Sequence, residues 1–329
     1  MKKKIVLFIE GDEHFRFIEP YLEVLKTKNF DLKIITLNNL KFKFENTLKI
    51  NQKDIRKTFL NLNADAVITT TPGIGSYYFP KNKKRKTTYI YIFHSLVSPN
   101  EIYLNNSFKS FDIIFSPNDI ISSQLKKLTK KDSKIYTVGY PLLVNNYYKK
   151  SQNSLKNSLL IAPSWGRESL LNHQLELTLL LNNLAKNSFD ITLRPHPMEL
   201  DKLNKIELPK NINIDSNKDL INLSSFKYLI TDWSGIAIEF SLIKKFKSIF
   251  LDLPKKIRRK SKSETEHELI ENKFRVNYGL VVKKDNFSKI SKIIHEYNNW
   301  NIASDDYIRL LTSPEFDKFN ISKILDSNL

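Results

Sequence analysis

The chain has 329 residues, 41% of them hydrophobic, enough to fill two ordinary cores, so two domains are expected. Its 53 basic and 35 acidic residues give a net charge of +18, which points to an anionic substrate, polymer or membrane face. The lack of cysteine excludes disulfides, thiolate nucleophiles and Cys-ligated zinc, and fits a reducing cytosol.

The chain opens Met1-Lys2-Lys3-Lys4 and continues with the apolar run Ile5 to Ile9. That run stops at Glu10-Gly11-Asp12, short of the roughly 7–15 residues of a signal-peptide core. It reads as the first strand. No stretch approaches the ~18 apolar residues of a membrane span. Further strands are expected at Leu32 to Leu37, Ala66 to Thr70, Thr88 to Phe93, Ile113 to Ser116 and Lys134 to Val138, with helical periodicity at His14 to Lys28 and Asp119 to Leu128. β-Branched runs that alternate with amphipathic segments argue for βα units and a parallel sheet.

After Gly139-Tyr140-Pro141 the polar, aperiodic segment Asn145 to Ser158 reads as a boundary, which gives domains at 1–148 and 149–329. The pattern then restarts. Strands are expected at Ser158 to Ala162, Phe189 to Arg194, Ile212 to Asp215, Tyr228 to Thr231 and Ser248 to Leu251, with a long helix from Glu168 to Ala185. The tail from Asp305 to Leu329 reads as helical and as packing back across the boundary. The chain has only seven glycines, and six of them, Gly11, Gly73, Gly75, Gly139, Gly166 and Gly235, follow an expected strand. They either line a shared cleft or mark tight turns.

Only nine of the 53 basic residues are Arg, and the excess of Lys and Asn is also what an AT-rich genome would encode. Clusters at Lys81 to Lys86, Lys126 to Lys134 and Lys255 to Lys260 are candidate contacts for an anionic membrane or polymer. They carry few interleaved aromatics. No zinc-finger, RRM or helix-turn-helix pattern accompanies them, so nucleic acid is not the expected partner.

Two segments carry the chemistry. In Leu193-Arg194-Pro195-His196-Pro197 a strand ends at Arg194, and two prolines fix the backbone around His196. A guanidinium and a rigid imidazole suit a phosphate or pyrophosphate, although the His could equally cap a turn. In Ile230-Thr231-Asp232-Trp233-Ser234-Gly235 a strand ends at Thr231, and a helix is expected from about Ser234 to Leu242. Its unpaired amides and dipole suit a phosphate, while Ser234 alone reads equally as an N-cap. Glu239, further along this helix, could reach a ribose hydroxyl. His94 follows the Tyr89 to Phe93 strand and is either structural or a general base. Arg167, after Ala162-Pro163-Ser164-Trp165-Gly166, is another candidate anion ligand. His14, His173, His267 and His295 match no metal-ligand spacing. There is no Walker loop, Gly-x-Gly-x-x-Gly fingerprint or Asp-x-Asp motif.

The succession of His94, Ala162-Pro163-Ser164-Trp165-Gly166-Arg167, Arg194-Pro195-His196-Pro197 and Thr231-Asp232-Trp233-Ser234-Gly235 with Glu239 resembles the CDP-glycerol glycerophosphotransferase family, over roughly residues 85–285. The resemblance implies a GT-B fold, two Rossmann-like doubly wound domains facing across a cleft, with a C-terminal helix packing back on the first. It implies transfer of an alditol phosphate from a CDP-alditol to an acceptor hydroxyl of a surface polysaccharide or lipid-linked glycan, with release of CMP. His94 would be the base, and His196 and Ser234 would hold the pyrophosphate. Arg167, Arg194, Thr231, Asp232, Gly235 and Glu239 would complete the donor side. The chain departs from the family at His94-Ser95-Leu96-Val97, where His-Gly-Thr-Pro is common, and at Gly235, where a second Ser is common. No tightly bound cofactor is implied, and a divalent metal is neither required nor excluded. The expected place is cytoplasmic, peripheral on the inner membrane face. The alternatives are a GT-B glycosyltransferase or epimerase using a nucleotide sugar, and a non-catalytic basic polyanion-binding protein. Oligomeric state is not encoded in any motif.

Overall fold

The computed structural model describes residues 2–143, 157–206, 208–217, 221–255 and 269–329. The chain divides into two compact units, one of Met1–Ser95, Pro99–Val144 and Asp306–Leu329, the other of Leu96–Ser98 and Asn145–Asp305. The boundary expected at 148/149 lies outside the described residues, as do residues 256–260 of the third basic cluster.

The first unit is built on seven strands, β1 (Lys4–Ile9), β2 (Asp31–Thr36), β3 (Thr47–Lys49), β4 (Ala66–Thr69), β5 (Thr88–Ile92), β6 (Ile113–Ser116) and β7 (Lys134–Thr137). They form one sheet in the order β3-β2-β1-β4-β5-β6-β7, every pair parallel. Four helices follow the strands: α1 (Asp12–Lys26), α2 (Ile55–Leu60), α3 (Pro99–Ile102) and α4 (Asp119–Lys126). The inner strands are buried along their length, as continuous Ile/Val/Leu/Phe runs require when helices cover both faces.

The second unit repeats this plan with β8 (Ser158–Ile161), β9 (Asp190–Leu193), β10 (Ile212–Ile214), β11 (Tyr228–Thr231), β12 (Ser248–Leu251) and β13 (Gly279–Val282). Their order is β10-β9-β8-β11-β12-β13, again all parallel. Its helices are α5 (Gln174–Lys186), α6 (Ile236–Lys244), α7 (Ile270–Tyr278) and α8 (Ile290–Glu296). Leu177, Leu180, Leu181 and Leu184 of α5 fill a core with Ile161, Ile191, Ile230 and Ile249.

Two terminal helices, α9 (Asp306–Thr312) and α10 (Lys318–Asn328), join the first unit. Ile321, Ile324 and Leu325 enter its core, and Lys28 pairs with Asp326 at 2.5 Å. Both sheets have the doubly wound order, so the chain has the GT-B α/β plan. In each, ligands are expected at the carboxyl ends of the strands where the order reverses, between β1 and β4 and between β8 and β11. No helix among the described residues is long and apolar enough to cross a membrane.

The helix expected from Glu168 begins only at Gln174. Before it the chain makes a 3-10 turn at Leu170–Asn172, capped by Ser169, whose Oγ accepts from the Leu171 amide and donates to the Ser164 carbonyl at 2.7 Å. The edge strands β3 and β13 were not expected from periodicity. Each pairs on one side only and is largely exposed or half-buried, so neither shows an apolar run.

Candidate functional site

Register places Ile161, Leu193 and Ile230 at one level of the second sheet, so the loops after β8, β9 and β11 leave it together. The Arg194 and Thr231 segments are therefore separated by β8, about 10 Å or two strand spacings apart. The loop between them, residues 162–170, is the centre of the arrangement.

Two buried carboxylates hold that loop. Asp232 is fully buried; its Oδ1 accepts from the Ser164 amide at 2.7 Å and the Trp233 amide at 2.6 Å, and its Oδ2 from the Leu170 amide at 2.9 Å. Thr231 Oγ1 adds a 2.6 Å hydrogen bond to the Ala162 carbonyl. From the other side Glu199 accepts from the Gly166 amide at 2.9 Å and pairs with Lys202. Lys202 donates to Asn172, which in turn donates to the Gly166 carbonyl at 2.8 Å. Asp232 and Thr231 thus shape the site through backbone contacts.

His196 caps the 3-10 helix Pro197–Lys205, its Nδ1 accepting from the Met198 amide at 3.3 Å. An acceptor Nδ1 in a neutral ring puts the proton on Nε2, so the opposite edge is a donor, the form that suits a phosphate oxygen. Its ring lies 5.8 Å from that of Trp165. Capping and anion binding, alternatives in the sequence, are compatible because they use different nitrogens.

The two arginines stand differently. Arg194 is ion-paired with Asp215 and is 13% exposed, so its guanidinium braces the loop after β10 against β9. Arg167 is 96% exposed, and its one ion-pair partner among the described residues is its neighbour Glu168 at 3.8 Å.

The helix after β11 starts at Ile236, with Gly235 at its N-cap position and no side-chain cap. The amides of Ser234, Gly235 and Ile236, and the Ser234 hydroxyl, make no hydrogen bond among the described residues. Ser234 is therefore no N-cap in this fold; three successive amides and a hydroxyl are presented together at a helix start, an anion-binding arrangement. Glu239, half-buried, sits in the first turn of α6. A Cβ on Gly235 would lie 2.7 Å from Val97 Cγ1, which explains glycine where the family commonly has Ser. Next to Val97, Ser98 is fully buried: its Oγ accepts from the Ile270 amide at 2.9 Å while its own amide donates to Glu271 at 3.0 Å. A serine 172 positions away in sequence thus makes a reciprocal capping box with α7.

Arg275, on α7, is buried and was not expected from the sequence. It donates to the Asp232 carbonyl at 3.0 Å and the Leu251 carbonyl at 2.8 Å, with its guanidinium 4.5 Å from the Trp233 ring centre. Burial pulls its proton affinity below the ordinary value.

In the first unit, His94 follows β5. Its Nδ1 is 3.3 Å from the Tyr91 hydroxyl, and the Phe17 and His14 rings pack at 5.3 and 5.6 Å. Burial, the nearby His14 and Arg16 push its pKa down to about 3, against a hydrogen bond to the Ile92 backbone. His94 is therefore neutral at physiological pH. His14 lies at the start of α1, just beyond the β1 end, with Nδ1 3.0 Å from Thr70 Oγ1. Among the described residues no group of three His, Asp or Glu side chains could hold a metal ion.

A family model for CDP-glycerol:poly(glycerophosphate) glycerophosphotransferases matches residues 2–251. The chain is similar to the Methanocaldococcus jannaschii UDP-GlcNAc 2-epimerase solved with UDP-GlcNAc and UDP, at 17% identity and TM-score 0.63, over 99% of this chain and 100% of that one. It is similar to the wall teichoic acid polymerase TagF solved with CDPG, at 15% identity and TM-score 0.62, over 98% and 88%. A Rickettsia bellii UDP-N-acetylglucosamine 2-epimerase shares 12% identity with TM-score 0.63, over 99% and 97%. No curated protein matches. At these identities the structures establish the fold.

Proposed function

The chain belongs to the CDP-glycerol:poly(glycerophosphate) glycerophosphotransferase family, and from that premise we propose that it moves an alditol phosphate, glycerol or ribitol phosphate, from a CDP-alditol to an acceptor hydroxyl, releasing CMP. It is a CDP-glycerol glycerophosphotransferase-like enzyme. The observation that carries the reading is the trio of uncapped amides and the Ser234 hydroxyl at the α6 start, across β8 from the donor edge of His196. Those groups would hold the donor's pyrophosphate, with Glu239 toward the ribose. His94 would take the acceptor proton as its oxygen attacks the transferred phosphorus and the bond to the CMP oxygen breaks. Such a transfer asks mainly for alignment and charge neutralisation, which oriented amides and imidazoles supply without a tightly bound cofactor.

The acceptor would be a cell-surface polysaccharide or lipid-linked glycan, of teichoic-acid or capsule type, reached from the cytoplasmic membrane face. Support for membrane contact comes from the first unit. Lys81 and Lys130, from separate clusters in sequence, both pair with Asp112, at 3.8 and 2.9 Å. The two clusters therefore meet, and Lys83, Lys84, Lys86, Lys126, Lys127 and Lys131 of the same two clusters are exposed. Sedimentation with vesicles rich in an anionic lipid should fall as salt rises; salt-independent sedimentation, or none at low salt, counts against this contact.

The test of the transferase reading is CMP release from CDP-glycerol and CDP-ribitol, with UDP-GlcNAc as comparison because the fold is shared with epimerases. His196→Ala and Ser234→Ala should each cost about 10²-fold in kcat/KM, the scale for losing one donor to a developing charge. Turnover confined to UDP-sugars would sink the reading.

A further inference from the structure

The amides of Ser234, Gly235 and Ile236 cannot adjust one at a time, because each is fixed in the backbone of the turn that carries it. What packs behind that turn therefore decides whether they converge on an anion. Gly235 has helical backbone angles, φ −62° and ψ −18°, which any residue adopts, so its conformation does not call for glycine. Its surroundings do. Among the described residues, chain neighbours apart, the one heavy atom within 4 Å of a Cβ built there is Val97 Cγ1, at 2.7 Å.

Val97 stands in the short segment Leu96–Ser98, which belongs to the second unit although the chain on both sides of it belongs to the first. All three residues are buried. Ser98 pins the segment to the start of α7 in both directions, its Oγ accepting from the Ile270 amide at 2.9 Å and its own amide donating to Glu271 at 3.0 Å. A β-branched side chain on a segment so held has a restricted χ1 and little freedom to withdraw. Further along α7, Arg275 donates to the Asp232 carbonyl at 3.0 Å and lies over the Trp233 ring. The turn from Asp232 to Gly235 is thus held at one end by Arg275 and at the other by Val97, both anchored on α7. The two departures from the common family pattern, at 94–97 and at Gly235, meet in this contact.

We propose that Val97 is a positioning residue for the donor: by packing on Gly235 it holds the Ser234, Gly235 and Ile236 amides in the arrangement that receives the diphosphate. The inference deepens the transferase reading and rests on its donor site. Val97 presents only methyl groups, so it acts through the Gly235 backbone and makes no bond to the diphosphate. Amides set in place before the ligand arrives need no reorganisation to meet its charge. A side chain at Gly235 would push the turn off Val97, and a displacement of about 1 Å at such a site costs on the order of 10²-fold.

The test is a double-mutant cycle read by calorimetric titration of the full chain with CDP, which requires no turnover. Gly235→Ala should weaken CDP binding roughly 10- to 100-fold. Val97→Ala removes the obstructing atom, so Val97→Ala/Gly235→Ala should bind CDP within about threefold of Val97→Ala alone, far short of the product of the two single losses. Melting of each variant separates positioning from stability: a role in folding alone would lower the melting temperature and leave the affinity of the folded protein unchanged. That result, or losses that simply multiply in the double variant, overturns the proposal. If Gly235→Ala does not fold, recovery of both melting and CDP binding in the double variant supports it, and no recovery overturns it. CMP release from CDP-glycerol is measured alongside. Recovery in the double variant with no CMP release by the wild type would sink the transferase reading and uphold the pair, while a wild type that does not bind CDP would overturn both.

Discussion

Asp232 gives both carboxylate oxygens to backbone amides of residues 164, 170 and 233. The Ser164 and Leu170 amides cannot be readily rehydrated when the side chain is removed, because those residues and Asp232 are buried. The residue therefore belongs to the scaffold of the candidate donor site. Its charge is met by backbone dipoles and by the buried Arg275 guanidinium, which also donates to its carbonyl. Asp232→Ala should destabilise the second unit by about 3 kcal/mol or more, since orphaned buried donors cost roughly 1–3 kcal/mol each. Asp232→Asn, which keeps one oxygen but turns an NH₂ toward an amide donor, should fall between the two. Urea unfolding checks both; a loss below about 1 kcal/mol in Asp232→Ala would contradict this role.

At the scale of elements, the buried central strands were legible because a parallel sheet covered on both faces demands continuous apolar runs, and Ile113–Ser116, Tyr228–Thr231 and Ser248–Leu251 have the bounds expected. Only the start of the helix expected from Glu168 was misplaced, because Leu170 and Leu171 continue the helical stripe of Leu177 to Leu184, while the Leu170 amide is held by Asp232, distant in sequence. The same blindness hid Arg275 and the Ser98 capping of α7: both depend on partners that only folding brings together. That His94 and His196 stand in loops just after a strand was legible from the apolar runs that precede them. Glycines were legible as loop markers but not by purpose. Gly139 has φ +86°, and a Cβ there would lie 2.4 Å from the Phe316 amide nitrogen. This glycine lets the segment before α10 cross the β7 end, where Phe316 packs against Tyr21 at 5.1 Å. Gly139→Ala should cost about 2 kcal/mol or more through the strained φ and the displaced Phe316 backbone. Amide exchange in α10 should quicken; unchanged exchange and unchanged melting would refute the contact.

The molecule as a whole carries its acid sensitivity unevenly. His94 has a pKa near 3 in the fold, and His14 is also lowered, in both cases first by burial. In the unfolded chain both return to about 6.5. Between pH 6.5 and 3 the unfolded state binds more protons than the native state, so stability rises with pH across that window and is lost on acidification. The slope approaches about 1.4 kcal/mol per pH unit for each group that differs fully between the states. Asp65, held below the usual range first by the Lys4 amide, and Glu176, held down first by Lys284, add to acid lability only below the ordinary carboxylate range near pH 4. Between pH 6.5 and 4.5 the histidine pair in the first unit is therefore the dominant resolved source. Two units with separate cores need not melt as one transition. Calorimetry should show the transition of the first unit falling as pH drops from 7 to 4.5, with the second moving less. In His94→Gln the acid-side fall should be reduced, since a glutamine takes up no proton on unfolding. Parallel pH slopes in wild type and variant would mean that His94 is not held neutral by the fold.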